Sequence, residues 1–140
     1  MTRSDLTSLL SEMNVKYKDC EGDIAVLLPA NSVGEYNYNV GIMFSLSEDG
    51  NRMTIESTTL QSFDVYDNGE LILFCNEWNL TRYYPCAYVS VDYSSGVADV
   101  KSRYVINDLN NFVSKEFLKG CITTGFRENY RFLEELEKFK

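Results

Sequence analysis

Tyr36, Tyr38, Val40, Ile42, Phe44 and Leu46 occupy six consecutive even positions, with Asn37, Asn39 and Ser45 between some of them. Successive side chains of a strand point to opposite faces, so this run predicts a strand over 36–47 with one apolar face. Glu48-Asp49-Gly50-Asn51 supplies a turn, and Met53 and Ile55 begin a return strand over 52–60. The pair predicts an antiparallel sheet with one buried face, and a sheet of that kind needs helices to cover it.

Helical periodicity supplies them. Leu6, Leu9, Leu10 and Met13 fall at i, i+3, i+4 and i+7, with Ser4 placed to cap and Asp5 at the positive end, which predicts a helix over 4–14. Val15 to Asp19 alternates as a first strand. Ile24 to Leu28 reads as a second, stopped by Pro29, and residues 31–35 form a loop. Asp67 as N-cap with Glu70 three residues on starts a middle helix over 68–82, with Pro85 closing that region. Cys86 to Tyr93 alternates, Ser94-Ser95-Gly96 turns, Val97 to Ile106 returns, and 107–111 is loop. Ser114 caps a last helix over 114–139, about 35 Å long. Leu118, Ile122, Gly125, Phe132, Leu136 and Phe139 trace its inner stripe. Gly120 and Gly125 each weaken that helix by ~1 kcal/mol relative to Ala, and mark either a close approach of another backbone or a bend. The order is α, three or four strands, α, two strands, α. It predicts one α+β domain over residues 1–140, a length that buries roughly two-thirds of the unfolded surface.

The middle helix is unusual. Leu71, Phe74, Cys75, Trp78 and the stem of Arg82 share one stripe, Ile72 lies to one side, and Leu73 and Leu80 lie nearly opposite. A sheet covers one side only. Burying an aliphatic side chain is worth ~1.5–3 kcal/mol, so two leucines left in water forgo a sizeable share of a domain's stability. Leu73, Leu80 and Ile72 are therefore the candidate surface for a partner or a second copy; the alternative is that the C-terminal helix folds over them. Asn76 and Asn79 are poor interior helix residues, and on the flank of this helix their amides can bridge to the backbone of the turn that re-enters the sheet. Trp78 is expected in the core or at a dimer interface.

The residue inventory narrows the chemistry. Histidine is absent, which removes Ser-His-Asp and Cys-His machinery and the commonest metal ligand. Neither G-x-x-x-x-G-K-[ST] nor G-x-G-x-x-G occurs, so no phosphate cradle is expected. Cys20, Cys75, Cys86 and Cys121 are scattered without a C-x-x-C pair, and read as buried free thiols rather than a zinc site. Carboxylates lie in turns (Glu48, Asp49) or on helix surfaces, with Glu134 and Lys138 as an i, i+4 pair. The expectation is a protein that is not an enzyme and takes no metal or cofactor.

Net charge is −8, and it is uneven. Residues 1–50 hold three basic and eight acidic groups, residues 51–100 two and seven, and residues 101–140 eight and six. An acidic body repels phosphate backbones, so nucleic acid is not an expected ligand. No apolar run approaches the ~20 residues of a membrane span, and the first apolar residues are broken by Asp5 and Glu12, unlike a signal peptide. A cytoplasmic protein with reduced thiols is expected.

Three elements then carry a resemblance: Asn76-Glu77-Trp78-Asn79 closing the middle helix, the hairpin Ala87–Ile106, and Asn110-Asn111-Phe112-Val113-Ser114 before the last helix. In this the chain resembles the YbjN family of small bacterial proteins, which look like type III secretion chaperones in fold. Glycines often precede the last-helix Ser in that family, where Asn110 and Asn111 stand here. The resemblance implies structural roles for Asn76, Trp78, Asn79 and Ser114. It also implies a homodimer, as such chaperones commonly pair, and a role among proposed sensory transduction regulators. Together these point to a non-catalytic protein-binding module, chaperone-like or regulatory, that holds a partner segment against an apolar helix or sheet face. A stoichiometric inhibitor, such as the immunity partner of a toxin, is the alternative, and a carboxylate-only enzyme comes third.

Overall fold

The alternation that predicts one buried sheet face is met by three helices on that face. The computed structural model of the chain describes residues 1–28, 40–59, 62–82, 84–111 and 114–139. In order it places α1 (Arg3–Glu12), β1 (Lys18–Cys20), β2 (Asp23–Leu28), β3 (Val40–Leu46), β4 (Met53–Thr59), β5 (Phe63–Asp64), α2 (Asn68–Thr81), β6 (Cys86–Asp92), β7 (Val97–Ile106) and α3 (Lys115–Phe139), with short 3-10 turns at Val65–Asp67 and Leu109–Asn111. All seven strands form one antiparallel sheet running β1-β2-β3-β4-β7. β6 pairs along one side of β7, while β4 and β5 share its other side.

Even positions of β3 and β7 (Ile42, Phe44, Ala98, Val100, Ile106) and odd positions of β4 (Met53, Ile55) point inward and are buried. Leu6, Leu9 and Leu10 of α1, Leu71, Cys75 and Trp78 of α2, and Leu118, Ile122, Phe132, Leu133 and Leu136 of α3 close the same core. The opposite sheet face is partly exposed where β4, β7 and β6 adjoin. There Glu56 accepts hydrogen bonds from the Tyr88 hydroxyl (2.5 Å) and Arg103 Nε (3.0 Å), three neighbours across β4, β7 and β6.

The α+β class and the order of elements are as the sequence predicts, and the differences have local causes. Thr2, not Ser4, caps α1, because its hydroxyl accepts from the Asp5 N–H while the Asp5 carboxylate accepts from the Thr2 N–H. The first strand is only Lys18–Cys20, since Asn14 takes a left-handed φ of 59° that ends α1 with a turn. Tyr36, Tyr38 and the 31–35 loop lie outside the described residues, as does the side chain of Phe139. β5 has no counterpart in the sequence reading. Asp67 makes no side-chain cap, because it belongs to the 3-10 turn, whose own cap is Asp64 accepting from the Tyr66 N–H at 2.9 Å. α2 stops at Thr81, with Arg82 extended. Residues 109–111 are a 3-10 turn instead of open loop. Lys138 pairs with Glu135, one turn back at 3.1 Å, rather than with Glu134. Only Cys75 of the four cysteines is buried; Cys20 and Cys86 are exposed.

Two features of α3 explain its register on the sheet. At Gly125 a Cβ would stand 2.7 Å from both Ile55 Cδ1 and Tyr104 Cδ1, so the close approach is of side chains, and the helix continues uninterrupted past it. Gly120 has open space where its Cβ would be. One turn after Gly125, Asn129 is fully buried in the middle of the apolar stripe and donates to the main-chain carbonyls of Ile55 (3.1 Å) and Gly125 (2.8 Å).

Asn129 also plugs a split in the sheet. Met53 to Glu56 pair with Ile106 to Arg103, and on that register Ala98 would face position 61. It faces Phe63 instead, two residues further on. β4 has parted from β7 by then and follows β3 alone, with Thr58 opposite Gly41. The Ser102 N–H, left without a ladder partner, donates to Ser57 Oγ at 2.9 Å. One proton per hydroxyl then fixes the rest: Ser57 donates to Ser102 Oγ (2.9 Å), and Ser102 donates to Asn129 Oδ1 (2.5 Å). Three fully buried polar residues are satisfied by one another.

Candidate protein-docking surface

α2 lies along β6, running from the hairpin end of that strand to its beginning. Its first turn adjoins the Val65–Asp67 turn, where the Val65 N–H donates to the Gly96 carbonyl at 3.0 Å, and its last turn reaches Ala87. Leu71, Cys75 and Trp78 face the sheet. The Trp78 indole donates to the Pro85 carbonyl at 2.8 Å and meets the Phe132 ring edge-on at 5.2 Å, while Arg82 lies over its face at 4.9 Å. Trp78 is thus core, with its one polar atom satisfied. Phe74, on the next flank, meets Phe132 at 5.8 Å. α3 therefore packs against this flank of α2.

It does not cover the outer side. Leu73 is 63% exposed, Leu80 85% and Ile72 43%. Leu73, Glu77 and Leu80 fall at i, i+4 and i+7, so the exposed stripe is two leucines with a carboxylate between them. Beside it Phe74, Leu80, Arg82 and, from α3, Glu135 line a shallow groove of about 370 Å³.

Asn76 and Asn79 separate in role. Asn79 grips Ala87 at both main-chain groups: its Nδ2 donates to the Ala87 carbonyl at 2.9 Å, and the Ala87 N–H donates to its Oδ1 at 2.8 Å. Asn76 is exposed and makes no such bridge. The sequence reading gave both the same role, and helical geometry is what divides them. Asn76 sits a further 60° round from the sheet, out of reach of the strand. Ser114 behaves as expected, its hydroxyl accepting from the Phe117 N–H at 3.2 Å.

The groups with chemical potential are spread apart. Cys20 and Cys86 sit on strands at opposite edges of the sheet, about 24 Å apart by strand spacing, so the four cysteines do not converge. Among the described residues no three Cys, Asp or Glu side chains form a metal-sized cluster. Burial, and next the nearby Cys86, push the Cys75 thiol up to about 11, the reverse of an activated nucleophile. Burial and the hydrogen bond to Glu56 push the Tyr88 phenol up to about 12. No helix among the described residues is long and apolar enough to cross a membrane.

No family model and no curated protein matches this sequence. Among solved structures, YbjN from E. coli, described as a proposed transcription regulator, superposes with a TM-score of 0.78 over 99% of this chain and 93% of that one, at 9% sequence identity. The chain has the YbjN-like fold.

Proposed function

We propose that this chain, built on the fold of E. coli YbjN, is a non-catalytic protein-binding module that acts in regulation or as a chaperone through the outer face of α2. The observation that carries this reading is the exposure of Leu73 (63%) and Leu80 (85%) on a helix whose inner side packs on the sheet and one flank on α3. Two leucines on one stripe, flanked by Ile72 and interrupted only by Glu77, make a contact that stabilises a complex better than it serves a free monomer. A two-fold homodimer through this stripe is the first occupant, with a partner protein segment competing for the same leucines. A net charge of −8 disfavours direct contact with DNA, so regulation here runs through protein contacts. The same charge supports a second reading, a stoichiometric inhibitor of a basic enzyme. A pull-down separates the two: diverse extended clients for a chaperone-like module, one basic enzyme for an inhibitor.

Sedimentation equilibrium tests the surface directly. The wild type should sediment as a dimer, and Leu73→Glu with an intact fold as a monomer. A wild-type mass near 16.1 kDa at high concentration rejects the homodimer. A dimer that survives both Leu73→Glu and Leu80→Glu rejects the choice of surface.

A further inference from the structure

In an antiparallel strand every second residue turns both main-chain polar groups to the same side. The grip of Asn79 on Ala87 identifies the odd positions of β6 as the ones facing away from β7. The Ser102 N–H, directed at Ser57 on the β4 side, gives the same alternation from the neighbouring strand. Val89 and Val91 therefore point their N–H and C=O groups off the free edge of the sheet, and among the described residues nothing hydrogen-bonds them.

The two sheet edges are unlike. β1 is three exposed residues carrying Lys18, a short charged edge that resists pairing. β6 runs seven residues, and from Tyr88 to Val91 it has no charge, proline or bulge. Above it stands Ile72. Seven residues before Asn79, it lies on the same flank of α2 and about 10.5 Å back along the axis, which is three strand residues on from Ala87. The half-exposed Ile72 thus overhangs the unpaired backbone of Val89 and Val91, and edge and overhang form a shelf.

We propose that this shelf, the free edge of β6 at Val89 and Val91 beneath Ile72, docks an extended segment of a partner protein, which joins the sheet as its next strand. The inference rests on the protein-binding reading above but uses a different surface. A second copy does not fit the shelf: pairing β6 with β6 would bring two α2 helices to about 5 Å, well inside the 8–10 Å that packed helices keep. A bare strand fits. Its alternate side chains should be apolar to meet Ile72. A basic residue should fall at the hairpin end, where Asp67, Glu70 and Asp92 stand and no Lys or Arg occurs in sequence between Arg52 and Arg82 or between Arg82 and Lys101.

Amide exchange with a synthetic peptide of alternating Val and Thr flanked by Lys tests this. At millimolar peptide, exchange at Val89 and Val91 should slow roughly tenfold while Asp19 on β1 is unchanged. The same peptide with N-methylated valines should have no effect. Val89→Pro removes the outward N–H together with part of a side chain that packs on the core, so it should lower the melt somewhat and weaken peptide binding roughly tenfold. Should that variant not fold, the N-methylated peptide still decides. Unchanged exchange at Val89 and Val91, or equal slowing by the N-methylated peptide, overturns the proposal. Slow exchange in the free protein that deepens with protein concentration overturns the choice of occupant in favour of a second copy. Leu73→Glu should leave peptide binding intact, so the two surfaces can fail independently.

Discussion

Asn129 Oδ1 accepts from Ser102 Oγ at 2.5 Å while Asn129 Nδ2 donates to the Ile55 carbonyl at 3.1 Å, so one side chain of α3 ties together the two strands that have begun to part. Asn129→Leu strands the Ser102 hydroxyl in a dry core and takes away the second bond on the Ile55 carbonyl, which keeps its ladder place opposite Tyr104. A loss of about 3 kcal/mol is expected in urea unfolding. Combining it with Ser57→Ala and Ser102→Ala should recover part of that loss, because partners removed together leave fewer orphans. The Ser102 N–H still loses its acceptor, so the recovery should be incomplete.

Gly125→Ala should destabilise by about 2 kcal/mol, since the new methyl meets Ile55 Cδ1 and a Tyr104 ring that is itself packed edge-on against Tyr84 at 5.3 Å. Gly120→Ala, with open space at that position, should stabilise by about 0.5–1 kcal/mol through helix propensity alone. Thermal melts of the two variants should move in opposite directions.

Much of this was readable in advance. The hairpin turn after β6, the strand Val97–Ile106 and the long α3 follow from sustained periodicity, which tertiary contacts have little freedom to override. β5 is two residues long and carries no period at all. The cap at Thr2 is not legible in the sequence because Thr2 and Ser4 are both good caps, and only the reciprocal bond from Asp5 chooses between them. Asn129 did leave a signal: a lone amide at i+4 and i+7 from Gly125 and Ile122, inside an apolar stripe. Helical geometry puts Leu73 and Leu80 opposite the stripe that meets the sheet. Whether α3 folds over them could not be read, because a helix apolar on every side does not say which further side is covered. The β6 edge could not either, since pairing partners decide which strand is last.

Tyr88 should titrate near pH 12, above an ordinary tyrosine at about 10, because burial and its bond to Glu56 both favour the neutral phenol. A pKa raised on folding contributes stability that is whole below about pH 10 and is lost as the pH climbs through about 12. Tyr88→Phe should erase that part of the alkaline decline in melting temperature. Ultraviolet titration at alkaline pH should show one late tyrosine fewer in the variant than in the wild type, Tyr104 being raised by its burial in both.

Thiol labelling should sort the cysteines by position. At pH 8 the exposed Cys20 and Cys86 should react quickly with a disulfide reagent and half-buried Cys121 more slowly. Cys75, held up to about 11, should react only on unfolding. Rapid modification of Cys75 in the native protein would show that α2 lifts off the sheet.

The two-residue slip between β4 and β5 carries a consequence for how the length of this chain has to be conserved. β7 is read by its neighbours in two frames at once, and the change of frame falls between Glu56 and Phe63. Deleting two residues there would let β4 and β5 merge into one uninterrupted strand and zip the gap with ordinary backbone bonds. Ser57 and Asn129 would then lose the donors they were placed to receive. A shorter chain with a more regular sheet would inherit a polar interior with nothing to hold, so insertion and buried trio must be gained or lost together.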